Sequence, residues 1–276
     1  MVHVIRVSCP DQKGLLAKVA GLLWERGLNI ISNQEFVDEP TSTFYLRARV
    51  EGDADISDLK SELETLLPEG RLVEISALAK KNLVVMATKE EHVLGDLLIR
   101  CRQGDLHGNI LCVLSNHPEL GDLAQAFDVP FHHIPVGDLD RQQHEEDVLK
   151  HLLNYPLDYL VLAKYMRILS PKFISHFRGN IVNIHHSFLP AFVGANPYRQ
   201  AHERGVKIIG ATAHFVNDKL DEGPIITQGV ESVDHRLDTK ALARVGRNIE
   251  KTTLAKALDL VLEEKVFLAE NRTIIF

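Results

Sequence analysis

From Leu83 to His185 the chain repeats one pattern, a near-continuous apolar run followed by a stretch with the spacing of an amphipathic helix. The runs are LVVMA, NILCVLS, PFHHIPV, YLVLA and IVNIH. Helices are expected through Leu97, from Pro118, near His144 to Leu153 and near Ser170 to Phe177. Strands that are apolar at consecutive positions need cover on both faces, so the pattern predicts a doubly wound, mostly parallel, Rossmann-like sheet. Ligands of such sheets sit beyond the carboxyl ends of the strands.

The first eighty residues have a different rhythm, strand, helix, strand, strand, helix, strand. Val2 to Val7 is short and β-branched, and the helix after P-D-Q-K-G places Leu15, Val19, Leu22 and Leu23 on one face before Gly27 stops it. Phe44, Leu46, Ala48 and Val50 alternate with Tyr45, Arg47, Arg49 and Glu51, the period of a sheet with one covered face. A second helix carries Ile56, Leu59, Leu63 and Leu66, and R-L-V-E-I-S follows. This is a ferredoxin-like βαββαβ plait. With the basic, polar A-K-K-N at Ala79 to Asn82 as the junction, the expected domains are 1–79 and 80–276 of an α/β protein. The full 276 residues exceed one average domain and accommodate both.

Composition narrows the function classes. With 45% hydrophobic and 25% charged residues and a net charge of -7, nothing favours nucleic acid or an anionic membrane as partner. The opening MVHVIRVSCPDQKG has neither a long apolar core nor a small-residue cleavage site, and no run approaches membrane-spanning length, so a cytoplasmic location is expected. Cys9, Cys101 and Cys112 form no C-x-x-C pair, which suits a reducing compartment.

The chemistry gathers at the end of IVNIH. Residues two apart on a strand share a face, so Asn183 and His185 converge at a carboxyl strand end. In I-I-G-A-T-A-H-F-V-N-D-K-L-D-E-G-P-I-I, Thr212 and His214 share a face and Asp221 follows in the loop. An amide can stabilise an oxyanion without adding charge to the ground state, an imidazole moves protons near neutral pH, and a carboxylate can orient a water or leaving group. Together they suit acyl transfer. Taken singly, each also has a structural explanation, as a satisfied strand-end histidine or an ordinary turn aspartate. The adjacent pairs His132-His133 and His185-His186 point to opposite strand faces and cannot chelate one ion from an extended backbone, so no metal is expected. Ser187 lacks the strand-turn-helix elbow of hydrolase serines.

The motif order N-x-H-x-S-x-L-P at Asn183 to Pro190, G-x-T-x-H-x-V at Gly210 to Val216 and D-x-G-x-I-I-x-Q at Asp221 to Gln228 resembles the folate-dependent formyltransferase fold. The resemblance covers roughly Asn82 to Phe276. It assigns Asn183 to the formyl oxyanion, His185 to proton transfer and Asp221 to the leaving nitrogen and the bound folate. Y-M-R-I-L-S at Tyr165 to Ser170 is similar to the family segment that grips the pteridine, which makes Met166, Arg167 and Leu169, with Thr212 and His214, candidate substrate-binding residues. The N-terminal plait is similar to an ACT domain, with D-Q-K-G-L-L and G-L-N-I as its signatures. That likeness implies a regulatory or oligomerising role, a small amino-acid effector with Asp11, Gly14 and Asn29 as candidate contacts, and a homo-oligomer, dimer or tetramer. A plait that serves only to oligomerise is the alternative.

The acceptor remains to be read. T-K-E-E-H at Thr88 to His92 follows the first strand of the second domain, where family members that formylate glycinamide ribonucleotide carry a Gly-Ser-Asn-rich phosphate turn. Two carboxylates without glycine make a poor phosphate cradle. The ACT-like plait, followed by N-I-H-H-S-F-L-P-A-F-V-G-A-N-P-Y with His186 where many transferases have proline, resembles the 10-formyltetrahydrofolate deformylases in particular. That resemblance implies a hydrolase of one-carbon and purine metabolism that releases formate and tetrahydrofolate, with the folate as substrate and no separate cofactor. The competing expectations are a formyltransferase to an amine and a non-catalytic folate- or amino-acid-binding regulator.

Overall fold

The computed structural model describes residues 1–53, 55–191 and 196–276. The chain divides into two compact units, Met1–Ala79 and Lys80–Ile275.

In the first unit β1 (Val2–Pro10), α1 (Leu15–Glu25), β2 (Asn29–Asp38), β3 (Thr43–Glu51), α2 (Ile56–Leu66) and β4 (Leu72–Ala77) form an antiparallel sheet of order β2-β3-β1-β4. Leu15, Val19 and Leu23, one turn apart on α1, meet Leu59 and Leu63 of α2 and the inward residues Ile5, Val7, Leu46, Ala48 and Val50 of the sheet. Full burial of such a side chain contributes roughly 1.5 to 3 kcal/mol. Gly27 takes φ 70 just past α1, where a side chain would be strained. Asp55 caps α2 by accepting from the Ser57 and Asp58 amides. The expected one-faced alternation of β3 is only partly met, because Tyr45 and Arg47 are buried as well. As an interior strand, β3 has its second face screened by side chains of both neighbours, and Arg47 Nη1 reaches Gln34 Oε1 of β2 at 3.5 Å.

The second unit begins β5 (Lys81–Ala87), α3 (Glu91–Gln103), β6 (Gly108–Ser115), α4 (Gly121–Gln125), β7 (Phe131–His133), α5 (Arg141–Leu152), β8 (Tyr159–Ala163), α6 (Pro171–Ser175) and β9 (Ile181–His185). It continues with α7 (Pro197–Arg204), β10 (Ile208–Phe215), β11 (Ile225–Ser232), α8 (Thr239–Leu262), β12 (Val266–Ala269) and β13 (Arg272–Ile275). The strand order is β11-β10-β9-β8-β5-β6-β7. Strands β5 to β9 pair in parallel, while β10 and β11 are antiparallel. The double winding is visible along β5: Leu83, Val85 and Ala87 face α3, α7 and α8, and Val84 and Met86 face α5 and α6. Strand β7 is shorter than PFHHIPV suggests, and α4 and α6 are single short helices. Among the described residues no helix is long and apolar enough to cross a membrane.

This topology fixes where a ligand can bind. Successive strands run outward from β5 through β6 to β7, then return to the other side of β5 as β8 and β9. The reversal lies between β5 and β8, where the following loops diverge and open a crevice. Thr88–Glu90 leave the end of β5 and Lys164–Leu169 the end of β8, with the Met166 amide donating to Thr88 Oγ1 at 3.0 Å.

Candidate active site

Beyond these strand ends lies a cavity of about 280 Å³ lined by Asn183, His185, His214, Asp221 and the segment following β8. Asn183 and His185 are alternate residues of β9 and arrive on one side of it. The antiparallel pairing of β10 sets His214 opposite Asn183 and Thr212 opposite His185. Asp221 comes from the loop after β10 with its backbone in the left-handed region, φ 58. Two residues on, Gly223 packs so closely that an added Cβ would lie 1.8 Å from the Phe215 carbonyl oxygen. Only glycine lets the loop fold back onto β10 and deliver Asp221 to β9.

The hydrogen bonds leave two groups free to act. His185 Nδ1 lies 3.2 Å from Asp221 Oδ1, and a carboxylate can only accept, so the proton belongs on Nδ1. The other ring nitrogen, Nε2, is buried without a hydrogen-bond partner among the described residues. A basic lone pair is thus available on a side chain that is only 6% exposed. His214 Nδ1 donates to the Phe215 carbonyl at 2.8 Å, which makes its Nε2 an acceptor for Asn183 Nδ2 at 3.1 Å. One N–H of the amide is so fixed, and the second, with no partner among the described residues, is available to a ligand oxygen.

Electrostatics agree with these assignments. Burial raises the Asp221 carboxyl, but the hydrogen bond with His185 and the nearby charges of His185, His214 and His186 outweigh it, and the net shift is downward. Asp221 is therefore a carboxylate at neutral pH. Burial lowers His214 and keeps it neutral, as its accepting role requires. Burial, then the charges of Lys164 and His185, push His186 down to about 4.

The remaining candidates divide. Met166, Arg167 and Leu169 line the cavity with His214. Thr212 does not: it is 0% exposed, donates to the Ser187 carbonyl and accepts from the Leu189 amide and Gln228 Nε2. It braces the turn after β9. The preceding loop is braced by Glu145, which accepts from the Ser170 amide and hydroxyl. Against the expectation of opposite faces, His185 and His186 both line the cavity with ring centroids 5.2 Å apart, because β9 ends at His185 and alternation ends with it. His185 meets Asp221, His186 lies beside the Tyr198 ring, and His132 bonds Tyr155. Phe192 to Ala195 of the quoted motif lie outside the described residues. Lys89, the single lysine of T-K-E-E-H, is paired with Glu119 at 3.1 Å.

In the first unit Asp11 and Gly14 sit past the end of β1, which pairs with Thr43, whereas Asn29 pairs with Glu51 at the far end of β3. The length of a strand, roughly 25 to 30 Å, separates them. They do not converge within one chain.

Sequence reasoning missed Lys164, Glu250 and Tyr198. Lys164 lines the cavity, and Glu250 accepts from both Tyr198 and His92. A buried Glu in the apolar stripe of α8 was the one signal that could have found them.

Comparison with known proteins accords with this description. The formyl transferase family model matches residues 81–258 and the ACT domain model residues 3–68. A formyltetrahydrofolate deformylase of Escherichia coli is 48% identical over 272 residues, 99% of this chain and 97% of that one. The crystal structure of a formyltetrahydrofolate deformylase from Pseudomonas syringae superposes with a TM-score of 0.96 at 36% identity, covering 100% of this chain and 94% of that chain. A glycinamide ribonucleotide transformylase from Symbiobacterium toebii covers 76% of this chain and all of its own, with a TM-score of 0.69 and 29% identity. Fold and site define an enzyme with a formyl transferase domain joined to an ACT domain. Full-length identity of this order goes further: the chain belongs to the formyltetrahydrofolate deformylase family, whose members are hydrolases.

Proposed function

We propose that this protein hydrolyses 10-formyltetrahydrofolate to formate and tetrahydrofolate in the cavity beside Asn183, His185 and Asp221. The observation that supports the reading is the buried Nε2 of His185, which has no hydrogen-bond partner among the described residues and whose other nitrogen is held by Asp221. Nε2 takes a proton from a water as its oxygen attacks the formyl carbon. The free N–H of Asn183 meets the oxyanion where charge develops, and the His214 bond keeps the amide aimed. The imidazolium, steadied by the Asp221 carboxylate, then protonates the folate nitrogen, and the carbon–nitrogen bond breaks. Asp221 thus assists departure as an anion acting through His185. Met166, Arg167 and Leu169 bear on the pterin side of the substrate. The test is incubation of the pure protein with 10-formyltetrahydrofolate alone, with formate and tetrahydrofolate both quantified. Equimolar release is expected, and a requirement for an added amine would make the enzyme a transferase.

We read the N-terminal unit as assembler and sensor. Its edge strand β2 leaves Ile31 and Phe36 exposed, which suits pairing with a second copy. Since Asp11 and Gly14 lie far from Asn29 in one chain, an amino-acid site that uses all three draws them from two copies.

A further inference from the structure

The cavity has a wall that the chemistry above leaves unused. Lys164 directly follows β8, is 5% exposed and lines the cavity beside His186. Its Nζ stands 3.4 Å from Glu250 Oε2 and 3.5 Å from Glu90 Oε1. Glu250, 1% exposed on α8, also accepts from His92 Nε2 at 2.7 Å and from the Tyr198 hydroxyl. Tyr198 fits because Gly246, one turn earlier on the same helix face, has no side chain: a Cβ there would lie 2.0 Å from the tyrosine hydroxyl. The Tyr198 ring in turn lies 6.2 Å from that of His186.

Glu90, His92 and Glu250 hold their ligand-type atoms within 4.8 Å of one another, a grouping that could suit a metal ion. Here the cation between the two carboxylates is the Lys164 ammonium. Burial raises the Glu250 carboxyl, but His92, Lys164 and Tyr198 reverse this and keep it ionised opposite the lysine. The backbone at Lys164 is left-handed, φ 61, a conformation glycine adopts freely and a side chain does not. A long basic residue is therefore kept against its own backbone preference, beside the reacting groups, where local strain tends to accompany function.

We propose that Lys164, held by Glu90 and Glu250, is the residue that makes water the acceptor: its side chain takes up the room beside His185 and His186 that a nucleophile larger than water would need. This rests on the hydrolytic reading above. With water, the oxygen–carbon bond forms, the folate nitrogen–carbon bond breaks, a water proton passes to that nitrogen and formate leaves. With an amine, a nitrogen–carbon bond forms, the same bond breaks and an N–H proton moves instead, leaving an N-formyl amine. The two routes differ only in which nucleophile fits. An amine is larger than water, and the room it needs is taken up by the Lys164 side chain.

The test uses the full chain, 10-formyltetrahydrofolate and glycinamide or hydroxylamine as competing acceptor, with formate and N-formyl product measured together. Wild type is expected to yield formate with at most a trace of N-formyl product, which sets the baseline ratio. Lys164→Gly opens the wall and suits the left-handed backbone, and the ratio of N-formyl product to formate should rise at least about tenfold. A folded variant with an unchanged ratio overturns the proposal. If the uncompensated Glu250 charge prevents folding, Lys164→Gly/Glu250→Gln removes both charges and carries the same expectation. Wild type that formylates the amine as fast as it releases formate also overturns it, whatever the variants do. The ratio isolates this role, because a loss of active enzyme lowers both products equally. Wild type that releases no formate without amine would instead refute the hydrolytic reading.

Discussion

Replacing Asp221 by asparagine removes one charge and little else. Asparagine tolerates the left-handed backbone of φ 58 at this position and conserves volume. What disappears is the attraction between the carboxylate and the imidazolium that forms when His185 takes the water's proton. With 3.2 Å between Nδ1 and Oδ1 and an effective dielectric near 20, that attraction is about 5 kcal/mol. Cavity water and local rearrangement recover part of it, so about 3 to 4 kcal/mol should reach the barrier, a fall on the order of 10²- to 10³-fold in turnover. Formate release at saturating 10-formyltetrahydrofolate measures the loss, and equilibrium titration of the folate should show binding held within a few-fold. The double variant His185→Ala/Asp221→Asn should be little slower than His185→Ala alone, because a carboxylate that acts through an imidazole has nothing to do without it. Turnover of Asp221→Asn within a few-fold of wild type, or multiplicative losses in the double variant, would refute the dyad.

Asn183→Ala removes the oxyanion donor and should lower turnover by about 10²- to 10³-fold with folate binding nearly intact; a proportional loss of binding would contradict the role. His186 is held down to about 4 in the fold against 6.5 unfolded, so the stability it contributes is full above pH 6.5 and is lost as pH falls toward 4, up to about 3 kcal/mol. Urea titrations across that window should show a shallower decline for His186→Gln, and identical acid sensitivity would speak against a neutral buried ring. Thr212→Val strands the Leu189 amide and Gln228 and should cost about 1 to 3 kcal/mol in thermal or denaturant unfolding. Deleting residues 1–79 should shrink the oligomer by light scattering and abolish any amino-acid response of formate release, and an unchanged size together with an unchanged response would sink the assembler and sensor reading.

What the sequence determined by itself was whatever local periodicity carries. Strands β8 and β9 fall where YLVLA and IVNIH place them, and the period of two put Asn183 and His185 on one side of the cavity. The Leu15, Val19, Leu23 face of α1 and the glycine that ends it are equally local. Periodicity says which face a residue takes but not what stands opposite, and there the tertiary structure decided. Thr212 and His214 share a strand face, yet one braces a turn and the other aims Asn183, because the registry with β9 sets them against different neighbours. Tyr45 and Arg47 read as outward residues and are buried because β3 is interior to its sheet. Asp11 and Asn29 belong to one motif and lie at opposite ends of that sheet. The contact of His185 with Asp221 needs an antiparallel β10 and the close packing of Gly223. The Lys164 to Glu250 pair joins the end of β8 to the middle of α8, far apart in the chain. Such long-range pairs leave no periodic trace, since charge pairing depends on distance in space, and only the folded chain sets that distance.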